Sequence, residues 1–321
     1  VMDVIPLEDE YLFTPAGDPS KPHTAQFYAF NTEIVLSAFG DEETVRAGFA
    51  DALAACRRFE HLFSRTLSHS DVTRINTAGG KPVSIAEDTA RLLEASLGYC
   101  ERSLGVFDIT MGSVTRLWNF VQGVIPTEEE RMGALSHVDW RGVHVRTCGD
   151  GFEAWLDDPL AAIDLGGTAK GFIADALVDL LDAAGIRHIL VNLGGNVAVR
   201  GGKPGGEPYV VGVRNPKDPA SMLCTVRIAD GSVVTSGLYE RAFELDGKRY
   251  CHILSPKDGL PISTDAESVT LIAARSADCD GFSTTLCALG IEDGLAYAKT
   301  LPEITGVVYI DAENNVRSWS R

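Results

Sequence analysis

From residue 188 to residue 311 the chain lays down seven short apolar runs in quick succession: HILVNL, YVVGVR, LCTVRIA, SVVTS, YCHILS, ESVTLIAA and GVVYID. Each is rich in Val, Ile, Leu or Thr and is bounded by turn-forming residues, the pattern of strands closed by turns. Strands so closely spaced, with few helices among them, favour an antiparallel α+β arrangement over a doubly wound parallel sheet. No heptads, no solenoid-period repeats and no low-complexity tract compete with that reading.

Upstream the pattern changes. After an irregular leader over residues 1–24, AQFYAFNTEIVLSAFG (25–40) has the content of a strand. In the next segment Val45, Phe49, Leu53, Cys56 and Phe59 recur at helical steps, and Asp41 with two glutamates suits the helix N-terminus. Leu92, Leu93, Leu97, Cys100 and Leu104 form a second stripe closed by Gly105. Phe172, Ala176, Leu177, Leu180 and Leu181 give a third helix an apolar face, ending at Gly185. A chain of 321 residues is then read as one catalytic unit over 25–321, with room for two subdomains.

With 45% hydrophobic and 23% charged residues the chain can bury a sizeable core. A formal net charge of −17 without a long Lys/Arg run argues against nucleic acid as a partner. The seven cysteines show no CxxC or CxxH spacing, so neither a disulfide framework nor a zinc site is signalled. No apolar run reaches the roughly 18 residues of a membrane span. A cytoplasmic protein is expected if Met2 is the initiator and Val1 an added residue; an exported or lipid-anchored protein is expected if the chain is a shortened form.

Three stretches carry possible chemistry. DLGGTAKG (164–171) places paired glycines between a strand end and a helix start, which suits either a tight turn or a loop that brings backbone N–H groups to an anion. It is neither a P-loop nor a GxGxxG fingerprint. NLGGNVAVRGG (192–202) repeats the design and reads as a hairpin, a bulge or a second ligand loop; two such loops in one chain favour a shared ligand. SADCDGFSTTLCALG (276–290) is an oxygen-rich helix. Either Ser276 or Asp278 caps it while Thr284 bonds back to the carbonyl four residues earlier, or Asp280 and Thr284, stacked on one face, hold a hard cation such as Mg²⁺. His252, alone in a strand, reads first as a hydrogen-bonded core residue, and Ser236 lacks a nucleophile-elbow context.

Taken in order, FSRTLSHSDVTRIN, GVFDITMGSVTRLWNF, IDLGGTAKG, VNLGGNVAVRG, TSGLYERAF, HILSPKDGLPI and SVTLIAARSADCDGFSTTLCALG resemble the motifs of the ApbE-like family, the FAD:protein FMN transferases. The resemblance implies a T-fold-related α+β architecture of mainly antiparallel sheets with flanking helices. It also implies a reaction in which FMN passes from FAD to a Thr or Ser hydroxyl of an acceptor flavoprotein, forming a phosphoester and releasing AMP. Mg²⁺ is the implied cofactor, held by Asp280, Thr284 and the Ala169 carbonyl. Gly166, Gly167, Thr168, Lys170, Gly194, Gly195, Ser236, Gly237, Tyr239, Arg241 and His252 are the implied FAD-binding set, with His252, Asp280 and Thr284 catalytic. The implied partners are FAD and a protein or domain carrying a Thr/Ser flavinylation motif. Three positions depart from the family pattern: Leu238 stands where an acid is usual, Gly112-Ser113-Val114 replaces Gly-Pro-Leu, and Gly281 enters the metal-site helix at a cost of about 1 kcal/mol relative to Ala. The alternatives are Mg²⁺-dependent hydrolysis of FAD to FMN and AMP, and non-enzymatic FAD binding.

Overall fold

The structure, a computed structural model, describes residues 11–321. In chain order its elements are β1 (Leu12–Thr14), β2 (His23–Ala29), β3 (Thr32–Phe39), α1 (Glu42–Phe63), α2 (Asp71–Thr77), β4 (Val83–Ile85), α3 (Glu87–Arg102), α4 (Gly112–Thr115), α5 (Glu128–Leu135), β5 (Val143–Cys148), β6 (Gly151–Leu156), α6 (Ala169–Ala183), β7 (His188–Leu193), β8 (Asn196–Arg200), β9 (Tyr209–Asn215), β10 (Asp218–Ile228), β11 (Gly231–Gly237), β12 (Ala242–Leu245), β13 (Lys248–Cys251), β14 (Ala266–Ala273), α7 (Ser276–Leu289), α8 (Ile291–Ala298), β15 (Ile304–Asp311) and β16 (Val316–Ser320). Among the described residues no helix is long and apolar enough to cross a membrane.

Nine strands form one sheet in the order β1-β2-β3-β7-β8-β11-β14-β15-β16, and every neighbouring pair is antiparallel, as the closely spaced runs predict. The sheet is a meander interrupted four times. Helices α1 to α6 and the small sheet β4-β6-β5 lie between β3 and β7; the ribbon β9–β10 lies between β8 and β11; the ribbon β12–β13 lies between β11 and β14; and α7 with α8 lies between β14 and β15. Antiparallel neighbours need only short turns, so each longer excursion is an insertion the sheet can carry without changing its order.

Several local expectations are corrected. The leader is not irregular throughout 1–24: Leu12–Thr14 pairs with β2, which itself begins at His23, while residues 1–10 lie outside the described part. The single strand expected over 25–40 is a hairpin whose two turn residues, Phe30 (φ 55) and Asn31 (φ 57), both take positive φ. That turn matches the strand twist, but without glycine it leaves little trace in sequence. Helix α3 ends at Arg102, and Leu104 (φ 57) rather than Gly105 is the first left-handed residue after it. In α6 the buried apolar side chains are Ile173, Ala174, Leu177, Val178 and Leu181, while Phe172, Ala176 and Leu180 pack only partly. A helix wedged between α1, α7 and the sheet is apolar nearly all round, so no single stripe marks its face.

One core lies beneath β2, β3 and β7 against α1 and α6; a second lies beneath β11, β14 and β15 against α7. The two meet where α6 crosses α7. That crossing builds the candidate site.

Candidate active site

Gly171, in the first turn of α6, is where the two helices touch. A Cβ there would overlap the Ser276 carbonyl oxygen and fall 2.8 Å from Ala277 Cα and Asp280 Cβ, so only glycine permits the approach. The closeness lets each helix cap the other. Asp280 Oδ2 of α7 accepts the Gly171 N–H of α6 at 2.8 Å. In return Asp175 of α6 accepts the Ser276 and Ala277 N–H groups of α7 at 2.8 and 3.0 Å. Neither α6 nor α7 has a side-chain cap from its own N-cap residue. Two orphan amide ends are thus satisfied by acids from across the crossing.

This arrangement corrects the capping expectation for α7. Ser276 does not cap the helix; its hydroxyl donates to Asn196 Oδ1 at 2.6 Å. Asp278 neither caps nor stands free: it accepts from the Tyr99 hydroxyl at 3.0 Å. The residue bonding back to the Asp280 carbonyl is Ser283, at 3.0 Å, not Thr284, and Ser236 Oγ donates to Ser283 Oγ at 2.8 Å. The Ser236 hydroxyl therefore ties β11 to α7. Asp280 is 5% exposed, and its Oδ2 is occupied by Gly171. Burial raises its carboxyl to about 6, against the lowering influence of Lys170 and the Gly171 amide.

Gly281 also has a steric reason. A Cβ there would fall 2.5 Å from ring carbons of Tyr99, whose ring packs edge-on to Phe282 at 5.2 Å. Gly281→Ala should therefore destabilise the fold by about 1–2 kcal/mol despite alanine's better helix propensity. A urea denaturation showing equal or greater stability would remove the steric account.

The motifs flanking the first glycine loop are its scaffold. Ser70 caps α2, and Asp71 Oδ2 accepts the Ala86 N–H and the Thr89 hydroxyl at the start of α3. Asn76 clamps the Ile163 backbone, donating to its carbonyl at 2.9 Å and accepting its N–H at 2.7 Å. Gly112 lies so close to the 162–163 backbone that a Cβ would not fit, and Ser113 Oγ accepts the Ala162 N–H at 2.9 Å. The loop follows: Asp164 Oδ1 accepts the Gly166 N–H, and Gly167 rests on the Phe107 ring. The Thr168 hydroxyl is buried against Ser96 Oγ at 2.8 Å and faces the core.

The second glycine loop and the β12–β13 ribbon bring the charged residues. Gly194 (φ 60) sits against Thr32, where a side chain would clash, whereas Gly195 (φ 99) faces open space. Gly195 lines a cavity of about 260 Å³ together with Asn192, Arg214, Thr235, Tyr239 and Glu240. The Tyr239 ring covers Gly237, leaving no room for a side chain there. Burial raises the Glu240 carboxyl above its usual range, against the lowering influence of Lys170, Arg214 and Arg241, and Lys170 and Arg241 both act on His252. Lys170, Tyr239, Arg241, His252 and Asp280 thus share one neighbourhood. Asn192, Arg214 and Ser283 were not singled out in sequence. Arg214 looks like any exposed strand residue, but Asp175, an acid set between Ala174 and Ala176 in a largely apolar helix, is a visible signal.

His252 follows β13 directly, and its buried Nδ1 has no hydrogen-bond partner. Burial, then Arg241 and Lys170, lower it from 6.5 to about 4. Between those pH values the unfolded chain binds a proton that the folded chain refuses, so stability falls as pH drops through the window. The contribution is about 3 kcal/mol. His252→Gln should flatten that part of the stability curve; matching curves for the two proteins across the window would exclude this histidine as the cause.

Among the described residues no group of three or more His, Cys, Asp and Glu side chains stands together as a metal site. The oxygen set expected for Mg²⁺ contains one carboxylate, one hydroxyl and one backbone carbonyl, so it is a different kind of arrangement.

A sequence model of the ApbE family matches residues 30–308. The FAD:protein FMN transferase of Treponema pallidum is 34% identical over 289 residues, covering 85% of this chain and 80% of that protein. One from Klebsiella pneumoniae is 32% identical over 280 residues, covering 85% and 84%. The crystal structure of the ApbE protein from Thermotoga maritima superposes with a TM-score of 0.84 at 27% identity, covering 92% of this chain and 96% of that one. The apo flavinyl transferase ApbE of Pseudomonas stutzeri gives 0.81 at 25% identity, covering 95% and 96%. With the antiparallel α+β fold, the two glycine loops and the Asp280 helix all accounted for, the chain belongs to the ApbE family.

Proposed function

We propose that this chain transfers FMN from FAD to a Thr or Ser hydroxyl of an acceptor flavoprotein, with AMP leaving and Mg²⁺ as the required cation. The observation that carries this reading is Asp280: a buried carboxylate with one oxygen fixed by Gly171 N–H, among Lys170, His252 and Glu240. Asp280 already occupies the N-terminus of α6, which makes that end a poor site for a bare phosphate. A cation held by the carboxylate would remove the conflict by neutralising its charge.

The donors fit such a cation. Asp280 Oδ1 is not the oxygen bound to Gly171, Thr284 lies one turn further along the same helix, and Ala169 opens the turn that contains Gly171. All are oxygen ligands, and a single carboxylate leaves positions for water and substrate phosphate, as Mg²⁺ prefers. Bound there, Mg²⁺ would supply Lewis-acid neutralisation of the pyrophosphate.

The remaining work falls to the protein. Lys170 and Arg241 offset phosphate charge without themselves moving protons. His252, kept neutral by burial, takes the proton of the incoming hydroxyl as the phosphoester forms. The glycine loops allow close backbone approach, so positioning accounts for much of the rate. Leu238, buried in the second core, takes no part in proton transfer; Glu240 is the nearby acid.

Incubation with FAD, Mg²⁺ and acceptor flavoprotein domains carrying a Thr/Ser flavinylation motif should give a fluorescent adduct that survives denaturation, with AMP released in equal amount. AMP formed at the same rate without acceptor would replace transfer by hydrolysis. FAD bound without turnover would replace both.

A further inference from the structure

We propose that the acceptor polypeptide docks on an apolar platform formed by the 119–124 turn and the outer half of the β12–β13 ribbon, with its hydroxyl delivered to the Arg241 and His252 end of that ribbon. The inference rests on the flavin-transfer reading above.

The platform is built from rings. Trp118 stacks on Phe120 at 5.5 Å, Phe120 meets Phe243 at 6.0 Å, Phe243 stacks on Tyr250 at 5.2 Å, and Tyr250 returns to Trp118 at 6.1 Å. This closed ring of contacts fixes the 119–124 turn against the ribbon, with Gly123 over the Phe243 ring. It leaves apolar side chains standing outward: Val121 is 98% exposed, Val124 45% and Leu245 45%. Leu245 shares a ribbon face with Phe243, two residues away, so it lies on the side the turn covers. A rigid aromatic base that presents aliphatic side chains to water is characteristic of a partner surface.

Position selects the partner. In the ribbon Ala242 pairs with Cys251, Phe243 with Tyr250, Glu244 with Arg249 and Leu245 with Lys248. Arg241 and His252 therefore stand side by side at the base, where the ribbon enters the site. At about 3.3 Å per residue, Phe243 lies about 7 Å and Leu245 about 13 Å outward from that base. The reaction needs a second substrate whose hydroxyl reaches His252 while the rest of it stays outside, and the platform begins where the site ends. The occupant has a definite chemistry: an extended polypeptide with the Thr or Ser hydroxyl at one end and an apolar side chain two to four residues away. A carboxylate on it would meet Lys248, whose Nζ lies over the Tyr250 ring at 5.2 Å while its neighbour Arg249 is paired with Glu267.

The test uses the full chain and, as probe, the flavoprotein domain that the wild-type protein labels in the assay above. Val121→Asp and Leu245→Asp should each raise KM for that domain about tenfold or more, with the affinity for FAD unchanged within about twofold. Val121→Ala should stay near wild type, which separates lost docking from lost folding. KM unchanged in both aspartate variants overturns the proposal, and so does a parallel loss of FAD affinity, since the residues would then act through the flavin site. If the wild-type protein binds FAD but labels no domain, the flavin-transfer reading fails first and takes the docking surface with it.

Discussion

Asp280→Asn is expected to lower flavin transfer by about 10³-fold or more while leaving the melting temperature close to wild type. The two effects separate because, in the function proposed above, the carboxylate has two tasks on two oxygens. Its Oδ2 accepts the Gly171 N–H, and an asparagine carbonyl can do the same, so the cap on α6 persists. What disappears is the negative charge, and with it the attraction for a cation. Removing the charge also removes the burial penalty that raises this carboxyl to about 6, which makes a modest gain in stability the expected side effect. Transfer measured by in-gel flavin fluorescence, with melting by circular dichroism, gives both readouts. Labelling within about tenfold of wild type would exclude Asp280 as the anchor of the chemistry.

Gly171→Ala should do the reverse, damaging fold and activity together. A methyl group would press on the Ser276 carbonyl and on Ala277 and Asp280 at once, and all three belong to a helix packed on its other side against β11 and β14. Overpacking of this kind costs about 1–3 kcal/mol, and the separated helices would also strain both trans caps. A total near 3 kcal/mol is expected, with transfer reduced even below the melting temperature because Asp280 loses its fixed oxygen. A variant that melts like wild type would show that the crossing has slack the distances do not suggest.

Antiparallel pairing was legible because seven apolar runs follow one another with turn residues between them; four of them are β7, β11, β14 and β15 of the large sheet, and the other three fall in the β9–β10 and β12–β13 ribbons. Less legible were features whose signal lies in contacts distant along the chain. The β2–β3 turn hid behind Phe30, since a positive φ in a non-glycine residue leaves no compositional mark. Helices α2, α4, α5 and α8 are too short for periodicity to stand out. Within the site, the spacing of Asp280 and Thr284 was visible because i and i+4 share a helix face, and the structure sets Asp280 against the glycine-loop helix. A hydroxyl beside a glycine pair looks the same in sequence whether it faces ligand or core, and in the structure the Thr168 hydroxyl meets Ser96. Asp71 and Asn76 stand in a motif shared with a catalytic family, yet they hold α3 and the Ile163 backbone. Family signatures mix scaffold and chemistry, and only the hydrogen bonds separate them.

The exchange of caps between α6 and α7 also bears on when the site can exist during folding. Gly171 and Asp280 are 109 residues apart, and Asp175 and Ser276 are 101 apart, so both caps close only after the β7 to β14 region between them has been laid into the sheet. Contacts of that span carry a large loop-closure cost and form late. A partly folded chain would then have an uncapped α6, an unanchored Asp280 and no means of fixing a cation beside the glycine loop. The expected consequence is that the anchored Asp280 is among the last features of the fold to form.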